Sequence, residues 1–433
     1  MRTATIIRRL AAAAESRSFS SKRWCCYHGH GHGNGHGPVN LFPSMLLAPV
    51  MTTSGSFAQG RMTSIESMRS ARHISSSSIS ADTISAPEPD KQKRPIISKN
   101  GAINNQIIAL GQDGKWKDIM ILCKKQNQHF NGVNYATVLS QLSRIRNVRK
   151  DDPFFEDFLD DLTGKLHARG IAWIGKARTL ATMVHAIAKM GLTSSSIAMK
   201  VMKLLDDGGT AKWFIDNANP QEIANCVWAC AKIGVHPMNL FRGLDERAQW
   251  FVHNGTPQAV ANCVWACGKL RIESPNLFRL LDENAQWMFE NGNPQEVGNC
   301  VWACCKLEIV APNLFRLLDE RAAWFVYNGS PQDIANCVWA CSKLGIESPD
   351  LFRFLEERAE WLFENGKAQD IATCVCACGT LEIESPNLFR LLDEHAQWVL
   401  EDGTPQAVAD CAWACNTLGI GAPNLFRLLD KYR

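Results

Sequence analysis

From Pro220 onward the chain repeats itself every 37 residues without slippage. PQEIANCVWAC begins at 220, PQAVANCVWAC at 257, PQEVGNCVWAC at 294, PQDIANCVWAC at 331, AQDIATCVCAC at 368 and PQAVADCAWAC at 405. A fixed period of this size marks a solenoid of supersecondary units, none of which can bury its apolar face alone. The expected class is therefore all-α, an α-solenoid.

End signals within each unit predict two helices. Asn219, Thr256, Asn293, Ser330 and Thr404 are good N-caps; Pro follows at the first helical position, and Glu222, Glu296, Asp333 and Asp370 stand at the third. Cap, Pro and acid make a capping-box start. Lys367–Ala368 lacks cap and Pro, so that helix should start less sharply. The first helix runs for about 13 residues, and Gly234, Gly345 and Gly419 suit its C-terminal cap. A second helix, NLFRLLDERAQWF in outline, starts at pairs such as Ser274–Pro275 and ends at Asn-Gly or Asp-Gly pairs such as Asn291–Gly292.

Weaker relatives lie upstream: TLATMVHAIAKM at 179–190 and NYATVLSQLSRI at 134–145, with second helices at 154–168 and 195–205. About eight helical pairs over 133–433 are expected: divergent repeats within 99–219 and six regular units over 220–433, the last incomplete. Residues 22–98, rich in Ser, Gly and Pro, read as a disordered linker. Its His28, His30, His32 and His36 have no rigid frame to fix a metal geometry. Residues 1–21 carry Arg2, Arg8, Arg9 and Arg17 against the single acid Glu15, the composition of a mitochondrial presequence. A plastid is the lesser alternative.

Stepping 100° per residue from Pro220 sorts the faces of the first helix. Ile223, Cys226, Val227, Cys230 and Ile233 fall on one side, toward the second helix. Opposite them lies the stripe Gln221, Asn225, Trp228, Lys232. It recurs as Gln258, Asn262, Trp265, Lys269; as Gln295, Asn299, Trp302, Lys306; and as Gln332, Asn336, Trp339, Lys343. Lys189 and Arg144 extend the basic row upstream, while Thr380 and Thr417 end it downstream and Cys376 replaces one Trp. On the concave surface that first helices line in such solenoids, the stripe suits single-stranded RNA. Rings stack on bases, amides meet base edges and Lys neutralises phosphate. Two other uses stay open: sideways packing of each Trp on the next repeat, and hydrogen bonding of each Asn to an adjacent helix.

Charge divides the chain. The total is +3, but residues 1–219 carry +13 and residues 220–433 carry −10. The acidic regular array argues against strong non-specific phosphate binding and keeps a protein-binding scaffold as the competing reading. Among 17 Cys, 12 form i, i+4 pairs such as Cys226/Cys230 on the core side, where they serve as small apolar residues. No His or further Cys recurs at that period to complete a zinc site. The second-helix Trp250, Trp287, Trp324, Trp361 and Trp398 read as packing, and Arg242, Arg279, Arg316, Arg353, Arg390 and Arg427 as partners in intrahelical ion pairs. No nucleotide loop, HExxH, GxSxG or kinase set is present, so neither catalysis nor a cofactor is expected. No apolar run reaches the length of a spanning helix.

The run NPQEIANCVWACAKIG, with its Pro-Asn-Leu-Phe second helix, resembles the octotricopeptide-type repeats of organellar RNA-binding proteins. The segment 114–145 is similar to the opening of that family's array. FAST-kinase-domain proteins and an RNA-editing substrate-binding complex subunit of kinetoplastids are similar at greater distance. The resemblance covers about 105–433 and implies organellar RNA binding in processing, stability or translation, with RNA-processing or ribosomal proteins as further partners. The chain departs from the octotricopeptide pattern in a unit one residue shorter and in that no C-terminal RAP domain is expected after Arg433, so the nuclease-like activity of that domain is not expected either.

Overall fold

The structure, a computed structural model, describes residues 98–431. The presequence, the His tract and all but the end of the linker lie outside the described residues. Those residues form 24 α-helices and no strand, and none of the helices is long and apolar enough to cross a membrane.

First helices pack side by side in one row. It runs Lys99–Gln112, Gly132–Leu142, Ala177–Lys189, Pro220–Ile233, Pro257–Leu270, Pro294–Lys306, Pro331–Leu344, Ala368–Leu381 and Pro405–Leu418. The row thus opens one rung earlier than the sequence period suggests. KNGAINNQIIALGQ buries only Ile103 and Ile107 on an otherwise polar helix, too little apolar periodicity to read as a repeat.

Helix ends follow the capping chemistry. Asn219, Thr256, Asn293, Ser330 and Thr404 each accept from the backbone N–H three residues on, and Glu222, Glu296 and Asp333 complete the box by accepting from the cap residue's own N–H. The Ala368 helix begins in the same register as the others, because Asp370 accepts from the Lys367 N–H at 3.1 Å. At the other end a left-handed residue follows the helix in all six units, directly at Gly234, Gly345, Gly419, Arg271 and Glu382 and one place later at Glu308, the three non-glycine residues at φ 55–56°. The following N–H then reaches back five residues to a Cys carbonyl, as from Ile383 to Cys378 at 2.9 Å.

The predicted single second helix is two. Pro275–Glu283 and Ala285–Asn291 are separated by Asn284, and every complete regular unit breaks at the equivalent residue: Arg247, Arg321, Arg358 and His395. There the backbone leaves the α region, at φ −103°, ψ 15° for Arg247. The break frees two of these side chains to cap the preceding unit. Arg247 Nη1 donates to the Ile215 carbonyl at 2.7 Å, and Arg358 Nη1 to those of Val326 and Tyr327 at 3.1 Å. Asn254, Asn291, Asn328 and Asn365 then close the short helix by donating to the Trp carbonyl four residues back.

Core and row contacts use different residues. Ile223, Cys226, Val227 and Cys230 are fully buried, as predicted, whereas Ile233 is half-buried. Small residues set the row spacing: a Cβ added at Gly268 would sit 2.9 Å from the Ala303 Cα. The Cys pairs are buried and their thiols are pushed up by that burial, to about 12 for Cys267 and Cys378 and about 11 for Cys341. Outside the row, Arg279–Glu283 (2.7 Å), Arg316–Glu320 (2.6 Å), Arg353–Glu357 and Arg390–Glu394 (both 2.8 Å) pair along their own helices, as expected. Arg242 and Arg427 instead donate to the side-chain oxygens of Asn239 and Asn424 three residues back, because no carboxylate among the described residues is as near them.

Candidate nucleic-acid interface

The stripe predicted from the helical period lies on one side of the row. Gln221, Gln258, Gln295 and Gln332 are exposed, while Asn225, Asn262, Asn299, Asn336 and the four indoles are half-buried. Lys232, Lys269 and Lys343 are exposed, and Lys306 is half-buried. Lys189 is exposed in the last turn of its helix; Arg144 is exposed just beyond Leu142, in the turn that follows its helix.

Each Trp does both things the sequence left open: it packs on the neighbouring rungs and keeps part of its ring in solvent. Trp265 and Trp302 stack with centroids 6.4 Å apart and planes 27° from parallel. Lys232 Nζ lies 5.5 Å from the ring centroids of both Trp228 and Trp265. Lys306 Nζ lies 5.5 Å from Trp302 and 4.8 Å from Trp339. These are cation–π distances. The result is one chain of aromatic and cationic groups across four repeats, Trp228–Lys232–Trp265–Trp302–Lys306–Trp339.

The structure adds a member that sequence reasoning missed. His185 stands at the Trp position of its own rung, with its ring centroid 5.1 Å from that of Trp228. Burial, seconded by the Lys189 ammonium, holds its imidazole below the ordinary value of 6.5. It is therefore a neutral aromatic ring at pH 7. Aligning TLATMVHAIAKM on the regular units already put His at that place. Arg178, at the Gln position of the same rung, was also missed; it is 80% exposed and its Nε lies 3.4 Å from Glu222. It lines an open cavity of about 370 Å³ with Lys176, Trp213, Asn217 and Asn219.

The amides differ from rung to rung. Gln221 Nε2 donates to Asn225 Oδ1 at 3.1 Å. Asn262, Asn299 and Asn336 make no side-chain hydrogen bond among the described residues, so the cross-helix bridging that the sequence left open for Asn is not what holds them. Lys269 and Lys343 likewise have no ion-pair or ring partner there. Lys189 and Arg144 extend the cationic row without joining the ring contacts. Half-buried indoles, open amides and exposed ammonium groups in register can stack on bases, meet base edges and neutralise phosphate.

A family model described as RNA-editing substrate-binding complex 6 protein matches residues 174–345 and 340–431, more than half of the 433-residue chain. The chain belongs to this family. A comparison with curated proteins found no match. Membership in the RNA-editing substrate-binding complex 6 family bears out the relationship that the sequence placed at greater distance. The matched region opens at the Ala177–Lys189 rung and contains the whole ladder from His185 to Trp339.

Proposed function

We propose that this chain is a single-stranded RNA-binding subunit of an RNA-editing substrate-binding complex, working in the mitochondrion without catalysing a reaction itself. The observation that carries the reading is the continuous ladder of His185, Trp228, Lys232, Trp265, Trp302, Lys306 and Trp339 on one side of the first-helix row. The family's name supports an RNA substrate and protein neighbours within a complex. The octotricopeptide likeness supports organellar transcripts, and the Arg-rich start supports mitochondrial import, with a plastid as the lesser alternative. RNA lies along the row, its bases against the half-buried indoles and its phosphates near Lys189, Lys232, Lys269, Lys306, Lys343 and Arg144.

The −10 charge of residues 220–433 favours a second reading, a protein scaffold without RNA. One variant separates the two: Lys232, Lys269, Lys306 and Lys343 changed together to Gln. With RNA on the ladder, affinity falls for every sequence, and the slope of log K against log salt flattens by about 0.7 for each phosphate that is no longer neutralised. Unchanged affinity and salt dependence in that variant, with wild-type helicity, would remove RNA from the ladder and leave the scaffold.

A further inference from the structure

Four successive rungs carry the same four side chains at the same four places. They begin at Gln221, Gln258, Gln295 and Gln332, and each continues Asn, Trp, Lys at intervals of four, three and four residues. The environment is repeated with the sequence: every one of these Gln is exposed and every Asn and Trp half-buried. Flanking rungs are different. Upstream stand Arg178, Thr182, His185 and Lys189; downstream stand Gln369, Thr373, Cys376 and Thr380.

A helical repeat that discriminates among bases does so with the few side chains it presents to one nucleotide. An indole gives stacking to any base, and an ammonium on this row chiefly neutralises phosphate, so discrimination falls mainly to the amides, which carry both a donor and an acceptor. Three of the four Asn amides are uncommitted among the described residues, and the fourth, Asn225, keeps its Nδ2 donor while accepting from Gln221. The same reading groups at the same places select the same base.

We infer that, given the RNA-binding reading above, the segment Gln221–Lys343 selects a run of a single base, four nucleotides long, rather than a mixed sequence. The flanking rungs tolerate other bases and set the ends of the run.

The test uses the full chain and twelve-nucleotide RNAs that share one mixed sequence, except for a central run of A, C, G or U four nucleotides long. Affinities are read by fluorescence anisotropy at fixed salt. One run should bind about tenfold or more tighter than the other three and than the unmodified mixed RNA. Equal affinities for all five RNAs would overturn the inference and leave RNA binding standing; no binding to any would defeat the RNA reading itself. A gain-of-function variant, Thr373→Asn with Cys376→Trp and Thr380→Lys, gives a fifth rung the same four residue types. In that protein a five-base run of the preferred base should bind about fivefold or more tighter than a four-base run. Equal affinity for the two lengths, with wild-type helicity, also overturns the inference.

Discussion

The Asp282 carboxylate accepts the Leu314 backbone N–H at 2.9 Å, so a residue near the end of one repeat's second helix caps the second helix of the next. Asn313 Nδ2 adds a hydrogen bond at 3.2 Å. Asp245, Asp319 and Asp393 do the same for Leu277, Leu351 and Leu425, and Glu356 for Leu388. These second helices have no capping side chain of their own. Asp282→Ala should therefore cost about 1–2 kcal/mol in urea unfolding. Arg279→Ala, which removes an exposed pair one turn away, should cost under about 0.5 kcal/mol. Equal destabilisation by the two would refute the cross-repeat cap.

Glu382 and Gly345 test the left-handed position. Glu382 holds φ 56° with a Cβ, whereas Gly345 holds φ 65° without one. Glu382→Gly should raise stability by about 0.5–1 kcal/mol, and Gly345→Ala should lower it by about 1 kcal/mol. Thermal melts of the two variants read both signs.

The buried thiols make stability fall in alkali. Burial raises Cys267, Cys341 and Cys378 above the 9.0 of a free thiol, so the folded state keeps protons that the unfolded chain gives up. Their contribution is complete below pH 9 and lost as pH rises toward 11–12, by about 1.4 kcal/mol per pH unit for each thiol. Helicity should collapse within that window. Cys267→Ala should make the fall of stability with pH measurably shallower, even while lowering stability at pH 7. In native protein below pH 9, iodoacetamide should label these thiols only as fast as the chain unfolds, and chelators should leave helicity unchanged.

Two lysines on the same row should separate folding from binding. Lys269→Gln should flatten the salt dependence of RNA binding by about 0.7 without moving the melting temperature. Lys232→Gln should do the same and also cost about 0.5–1 kcal/mol of stability, because its ammonium lies over two indoles. Identical melts for both variants would show that the ring contacts of Lys232 carry no stability.

Much of this was legible because local rules and the global fold agree. The 37-residue period, the Asn219–Pro220–Glu222 start and the buried face of Cys226 and Cys230 all read directly as one helix packed in a row. What escaped depends on distances between units. The break at Arg247 has no Pro or Gly at that residue to announce it, and the carbonyl that its side chain reaches lies in the preceding repeat. Asp282 reads as one more acid beside an Arg until the next helix is placed against it. The stripe itself was visible by angle alone, but the interleaving of Lys306 between Trp302 and Trp339 needs the separation of neighbouring helices, which no single unit encodes.

Between the Trp265 and Trp302 rungs that separation is set at Gly268 and Ala303, where nothing larger than hydrogen fits on the first partner. The stride of the ladder along a bound strand is thus fixed by residues that touch no ligand. A methyl group added there changes the pitch at which one rung hands a strand to the next, and with it the match between protein and nucleotide spacing. Relatives with identical reading side chains can then differ in how many nucleotides they hold in register, tuned from behind the surface that does the binding.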